Sequence, residues 1–141
     1  MKESVYKFLT KPKKLDQQIK KKRLELQKQM ELISSAGAIR YDKDKIQISN
    51  QDSPLDRYIV RREALESDIT RLTEEMHEAI AAIGAATDKL ENETGALIIT
   101  MRYVNRIEFS DIAVMIEKSE RQMFRIYHEA LENLSNVIEC Q

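Results

Sequence analysis

A chain of 141 residues with 23 Lys and Arg against 24 Asp and Glu, formal charge −1, fits one domain or a small domain on an extended helical arm. Three Gly, two Pro and 6% aromatics are too few for a strand-and-turn architecture and favour helix. No run nears the roughly 20 apolar residues that cross a bilayer, and the opening MKESVYKFLTKPKK lacks the apolar stretch of a secretory signal, so a cytoplasmic location without membrane contact is expected.

The charge is unevenly spread. Residues 1–30 hold ten Lys or Arg and three acids, residues 54–93 sum to −5, and residues 94–141 to −2. A basic start suits nucleic acid or an acidic partner surface. It equally suits one helix of a hairpin whose other helix is acidic. The single cysteine, Cys140, has no partner for a disulfide or for metal-ligand spacing.

In chain order, Pro12 stands where a first helix can begin, since the first turn does not need its missing N–H. Positions 15, 19, 22, 26, 29 and 33 form its apolar seam, interrupted by Lys22 and Gln29. Gly37 is a natural helix terminator, so the helix is expected to stop near residues 34–37. Residues 38–53 show no helical period and predict a poorly ordered loop.

A second helix opens at Ser53-Pro54, with Asp56 in its first turn. Positions 55, 58, 62, 65, 69, 72, 76, 79, 83, 86 and 90 step strictly by three and four, and only Arg62 among them is not apolar. That is a supercoiling seam. It predicts an antiparallel hairpin with the first helix and a homo-oligomer through residues 55–90. Gly84 marks a weak point, with a kink or break near 84–87.

Asn92 or Thr94 then caps a third helix around residues 95–104, which Asn105-Arg106 breaks. Residues 108–116 predict a short fourth helix and Glu117-Lys118-Ser119 a tight turn. Ser119 caps a last helix running to about Ile138. Met123, Ile126, Ala130, Leu131 and Leu134 share its inner face. Met101, Met115 and Met123 fit core positions. Ala113 offers the small side chain that two crossing helices need. The spacing predicts a helix-turn-helix within a domain over residues 92–141, joined to a helical hairpin over residues 1–91 with its loop at about 35–53.

The inner face fixes the outer one. Arg121, Gln122 and Arg125 project outward from the early turns, where such a helix reads bases, with Phe124, Tyr127 and His128 beside them. Phe124 either touches a thymine methyl or packs on a neighbour. Arg102, Arg106 and Lys118, with Ser119 and its helix N-terminus and with His128, are placed for phosphate contact or capping. The same geometry also serves simply to pack helices. No nucleophile–base pair, Gly-rich phosphate loop or metal-ligand cluster is present, His77 and His128 being far apart, so neither enzyme activity nor a cofactor is expected.

The run LIITMRYVNRIEFSDIAVMIEKSERQMFRIYHEALENL resembles the fourth region of bacterial sigma factors. It shares the Arg102-Tyr103 pair, the Ile112-Ala113 helix, the turn ending at Ser119 and the Glu129-Ala130-Leu131 close with Leu134. Over its whole length the chain is similar to small phage and prophage regulators of ArpU type, through Leu9 and Leu15-Asp16. The resemblance implies a phage transcriptional regulator that binds double-stranded DNA through Arg121, Gln122 and Arg125 and works with host RNA polymerase or as a separate activator. Phe124 stands where sigma factors often carry a basic residue. Two other readings fit the same helices: a small terminase-like packaging subunit, and a coiled-coil interaction module that binds no DNA.

Overall fold

Because apolar residues recur at helical spacing almost throughout, most of the described backbone pairs its hydrogen bonds within helices. The computed structural model describes residues 3–42 and 53–139, side chains of 38–42 excepted, and it is all-α, with no strand among the described residues. Five α-helices follow one another: α1 (Glu3–Asp42), α2 (Pro54–Thr87), α3 (Glu93–Ile99), α4 (Phe109–Met115) and α5 (Glu120–Glu139). A π-helical turn, Thr100–Val104, extends α3. Two compact units result, one from residues 1–15 with 75–141 and one from residues 16–74.

Helix α1 corrects two boundaries. It begins at Glu3 and carries Pro12 inside it, although proline within a helix costs about 3 kcal/mol. The balance comes from burial. Val5 and Leu9 are almost wholly buried in the core of the first unit, and Pro12 itself is inaccessible. Burying two such aliphatic side chains contributes about 3–6 kcal/mol, enough to carry the helix through the proline. At the other end α1 passes Gly37 and reaches Asp42. Ala36, Ala38 and Arg40 favour helix on either side, and a mid-helix glycine costs only about 1 kcal/mol. The loop expected over 38–53 is therefore shortened from its start. The rest of that loop, residues 43–52, and Cys140 lie outside the described residues.

In the second unit α1 and α2 run antiparallel. Lys22 meets Asp68 at 3.6 Å and Arg61 meets Glu25 at 3.0 Å, so partners fall in number along α2 as they rise along α1. Ile19, Leu65 and Leu72 are the buried seam residues here. The other seam positions on both helices, 22, 26, 29, 33, 55, 58, 62 and 69, are half-buried. Polar interruptions stay poorly matched. Gln29 Oε1 and Arg62 Nε are buried without hydrogen bonds, the latter 3.9 Å from Glu66.

The first unit holds the larger core. Helix α2 passes Gly84 unbroken and ends at Thr87, whose hydroxyl donates to the Gly84 carbonyl at 3.0 Å. A turn then brings Leu90 into the core beside Ile83 and Ala86. Asn92 caps α3, its side chain accepting from the Gly95 N–H at 3.1 Å. Helices α3 and α5 cross at Gly95, where an added Cβ would stand 2.7 Å from the Ala130 Cβ. That is closer than two carbons can sit, so the crossing requires glycine. Met101 and Met123 are buried, but Met115 is 58% exposed. Helix α4 has only two turns, and Ile112 and Ala113 take its inward positions.

Gly95→Ala should therefore lower stability by about 1–3 kcal/mol, since α3 and α5 must part to admit the methyl. Nothing lies within 4 Å of a Cβ at Gly84. Gly84→Ala should raise stability by about 0.5–1 kcal/mol. Urea unfolding of the two variants checks both signs.

Candidate nucleic-acid interface

The turn between α4 and α5 is built from backbone bonds and the side chains of Ser119 and Gln122. Glu117 adopts φ 59°, and its N–H donates to the Val114 carbonyl at 3.1 Å while the Lys118 N–H donates to the Ala113 carbonyl at 3.0 Å. These two bonds close a Schellman motif on α4, here with a glutamate in the left-handed position that glycine usually fills. Two residues later the next helix starts. The Gln122 N–H donates to Ser119 Oγ at 3.1 Å and the Ser119 N–H donates to Gln122 Oε1 at 3.2 Å. This reciprocal pair is a capping box, which satisfies two orphan donors and fixes the direction in which α5 leaves the turn.

Helix α5 is sharply two-sided. Met123, Tyr127, Ala130, Leu131, Leu134 and Ser135 are buried, with Ile126, Val137 and Ile138 packed at the margin. Arg121, Gln122, Arg125 and His128 are exposed, as are Lys118 and Ser119 before them. Arg121 and Arg125 lie one turn apart and share a face. Gln122, although exposed, has its carbonyl oxygen engaged in the cap.

The aromatic residues beside this face turn inward instead. Tyr127 is buried, and its hydroxyl hydrogen-bonds that of Tyr103 on the π turn. Phe124 is half-buried, its ring 5.0 Å from Phe109, with His128 stacked on it at 6.3 Å. Of the two roles open to Phe124 in the sequence, packing on a neighbour is what its side chain does here. Phe109 also meets the edge of Tyr127 at 5.0 Å.

Arg102 belongs to the same cluster. Its guanidinium sits 4.6 Å above the Phe109 ring, donates to the Ile107 carbonyl at 3.3 Å and lies 3.6 Å from the Glu108 carboxylate. The cation–π contact alone is worth about 0.5–2 kcal/mol. Arg106, four residues on, adopts φ 58° at the sharp bend before α4, and the Ile107 N–H beyond it donates to the Met101 carbonyl at 2.9 Å. Arg102 thus clamps the bend between the π turn and α4. The residues that sequence reasoning passed over are Phe109, Tyr103 and Tyr127 as a unit. Their only signal was aromatic residues gathered into a short stretch of a chain otherwise poor in them.

Among the described residues no group of three His, Cys, Asp or Glu side chains could hold a metal ion, and no helix is long and apolar enough to cross a membrane. No family model, curated protein or solved structure matches this chain.

Burial, followed by the hydrogen bond to Tyr103, pushes the Tyr127 hydroxyl well above the usual tyrosine range. A group with a raised folded-state pKa contributes stability below its unfolded value, about 10, and that stability is lost as pH climbs beyond it. Thermal melts taken upward from pH 9 should show this alkaline loss, and Tyr127→Phe should flatten it. In a separate measurement, Ser119→Ala should cost about 1 kcal/mol by opening the capping box.

Proposed function

We propose that this protein is a DNA-binding transcriptional regulator that inserts α5 into the major groove. The observation that carries the reading is the two-sided α5. Its capped start follows a short helix across a tight turn, its inner face is anchored in the core, and Arg121 and Arg125 stand free of that core on the outer face. Arginine is the side chain best suited to guanine edges, making two parallel hydrogen bonds to O6 and N7. The first two turns of the second helix are where such motifs reach bases.

Lys118, with the exposed N-terminus of α5, supplies phosphate contact, and His128 extends the same face one turn further. Gln122 reads a base only by giving up its cap, so we assign it the lesser part. Arg102 and Phe124 support the face from behind. The likeness of residues 97–134 to sigma region four favours promoter DNA as the target, in a phage or prophage setting inside a bacterial cell, with host RNA polymerase as a further partner. Pairing of two copies through residues 55–90 fits the half-buried seam at 55, 58, 62 and 69, and a dimer would present two reading helices.

Gel shifts on host and prophage promoter fragments test the reading. Arg121→Ala and Arg125→Ala should each weaken specific binding by about 1–3 kcal/mol, or roughly five- to 150-fold, and the double variant should leave only non-specific affinity. Equal binding by the double variant and the parent would sink it.

A further inference from the structure

We propose that a lysine stripe on α1, formed by Lys7, Lys11 and Lys14 with Lys13 beside it, is a second phosphate-binding surface for the DNA that α5 reads. The proposal rests on the DNA-binding reading and adds a site to it.

The stripe is set by spacing. Val5, Leu9, Pro12 and Leu15 bury one side of α1. Lys7, Lys11 and Lys14 step by four and three residues, so they align along the opposite side, and all four lysines are exposed. Across Lys7 to Lys14 the helix rises roughly 10 Å, at about 1.5 Å per residue. DNA offers a charge every 3.4 Å or so along each strand. Several phosphates thus fall within reach of one such stripe.

The mounting of the stripe ties it to the reading helix. Residues 1–15 belong to the same compact unit as residues 75–141. Val5 and Leu9 share a core with Ile112 and Ala113 of α4 and Met123 of α5. The lysines are therefore carried on the scaffold that holds the recognition helix. A stripe that engages DNA does so in a set geometry relative to the bases.

Charge accounting decides between an intramolecular role and an external one. In the hairpin unit Lys22 and Arg61 meet Asp68 and Glu25 across the helix pair, and Lys20, Lys28, Arg62 and Arg71 meet acids within their own helices. Lys7 has only an exposed partner one turn back, Glu3. None of the ion pairs among the described residues involves Lys11, Lys13 or Lys14. Like charges at this spacing repel one another along a helix, a cost that a bound polyanion removes. The rest of the unit needs such help. Residues 75–139 carry twelve carboxylates and six Lys or Arg, and Arg102 is turned into the aromatic cluster. Affinity for DNA depends on cations that displace condensed counterions, and α1 adds to the few that Lys118, Arg121 and Arg125 offer. An acidic polypeptide has the same sign but no reason to sit beside a base-reading helix.

The test uses the full chain with Lys7, Lys11 and Lys14 all changed to Gln. Fluorescence anisotropy is followed against salt on the promoter duplex and on a random duplex, with polyglutamate as a competing probe. The slope of log affinity against log salt should fall by about two to three units, near 0.9 for each lost contact. The loss should be alike on both duplexes, with base preference and melting temperature unchanged. Arg121→Ala with Arg125→Ala should do the reverse, losing preference and keeping most of the slope. An unchanged slope in the lysine variant overturns the stripe while leaving base reading intact. Polyglutamate affinity that disappears in the variant while the DNA slope stays the same assigns the stripe to an acidic protein instead. A parent chain without DNA affinity overturns both proposals.

Discussion

Tyr127 is the point at which the first unit becomes a single body. Its ring touches Phe109 of α4, its hydroxyl bonds Tyr103 on the π turn, and its backbone lies midway along α5. Arg102 extends the cluster from the other side of Phe109, tying down the Ile107 carbonyl as well. Three elements that would otherwise meet through short apolar contacts are held by directional ones. Rotation of α5 about its own axis would break several of these at once. The direction in which Arg121 and Arg125 point is therefore set by residues that never leave the core.

A helix-turn-helix needs two backbones to approach closely while their outer faces stay apart. Here the close approach is split between two places. Ala113 is the small residue before the turn, and Gly95 lets α3 lie directly on α5. The π-helical turn that follows α3 shifts the side chains of Arg102 and Tyr103 out of ordinary α register. Such turns occur often where a function imposes an unusual side-chain direction. In this protein the shifted direction serves the support of α5, through the Tyr103–Tyr127 bond and the Arg102 contact with Phe109.

Charge follows a separate logic from packing. The two units share α1 and α2, and each holds ion pairs within single helices. In the hairpin unit two further pairs, Lys22–Asp68 and Arg61–Glu25, cross between the helices. Partly exposed, such pairs are each worth no more than about 1 kcal/mol, but their order along the two helices suits one antiparallel register. In the first unit Lys11, Lys13 and Lys14 are exposed on α1 outside any ion pair among the described residues, while residues 75–139 carry twelve carboxylates against six Lys or Arg.

Much of this was legible in the chain before folding. The seam of α2 can be read by counting threes and fours, because a strict heptad leaves no other face to bury. Asn92, Ser53 and Ser119 announce helix starts, since a short polar side chain ahead of an apolar period has one evident use. The two-sidedness of α5 follows from Met123, Ile126, Ala130, Leu131 and Leu134 alone. What tertiary contact decided is where local preference was outweighed. Pro12 lies within a helix because Val5, Leu9 and the proline itself are buried. Gly37 does not end one because its neighbours favour continuation. Met115 faces solvent because two-turn α4 has too few inward positions to take it. Arg102 looked like a surface group because its partners, Phe109 and the Ile107 carbonyl, come within reach only once the bend at Arg106 is made. Local pattern thus determined α5 and its outer arginines, and long-range packing determined which of its neighbours support it from within.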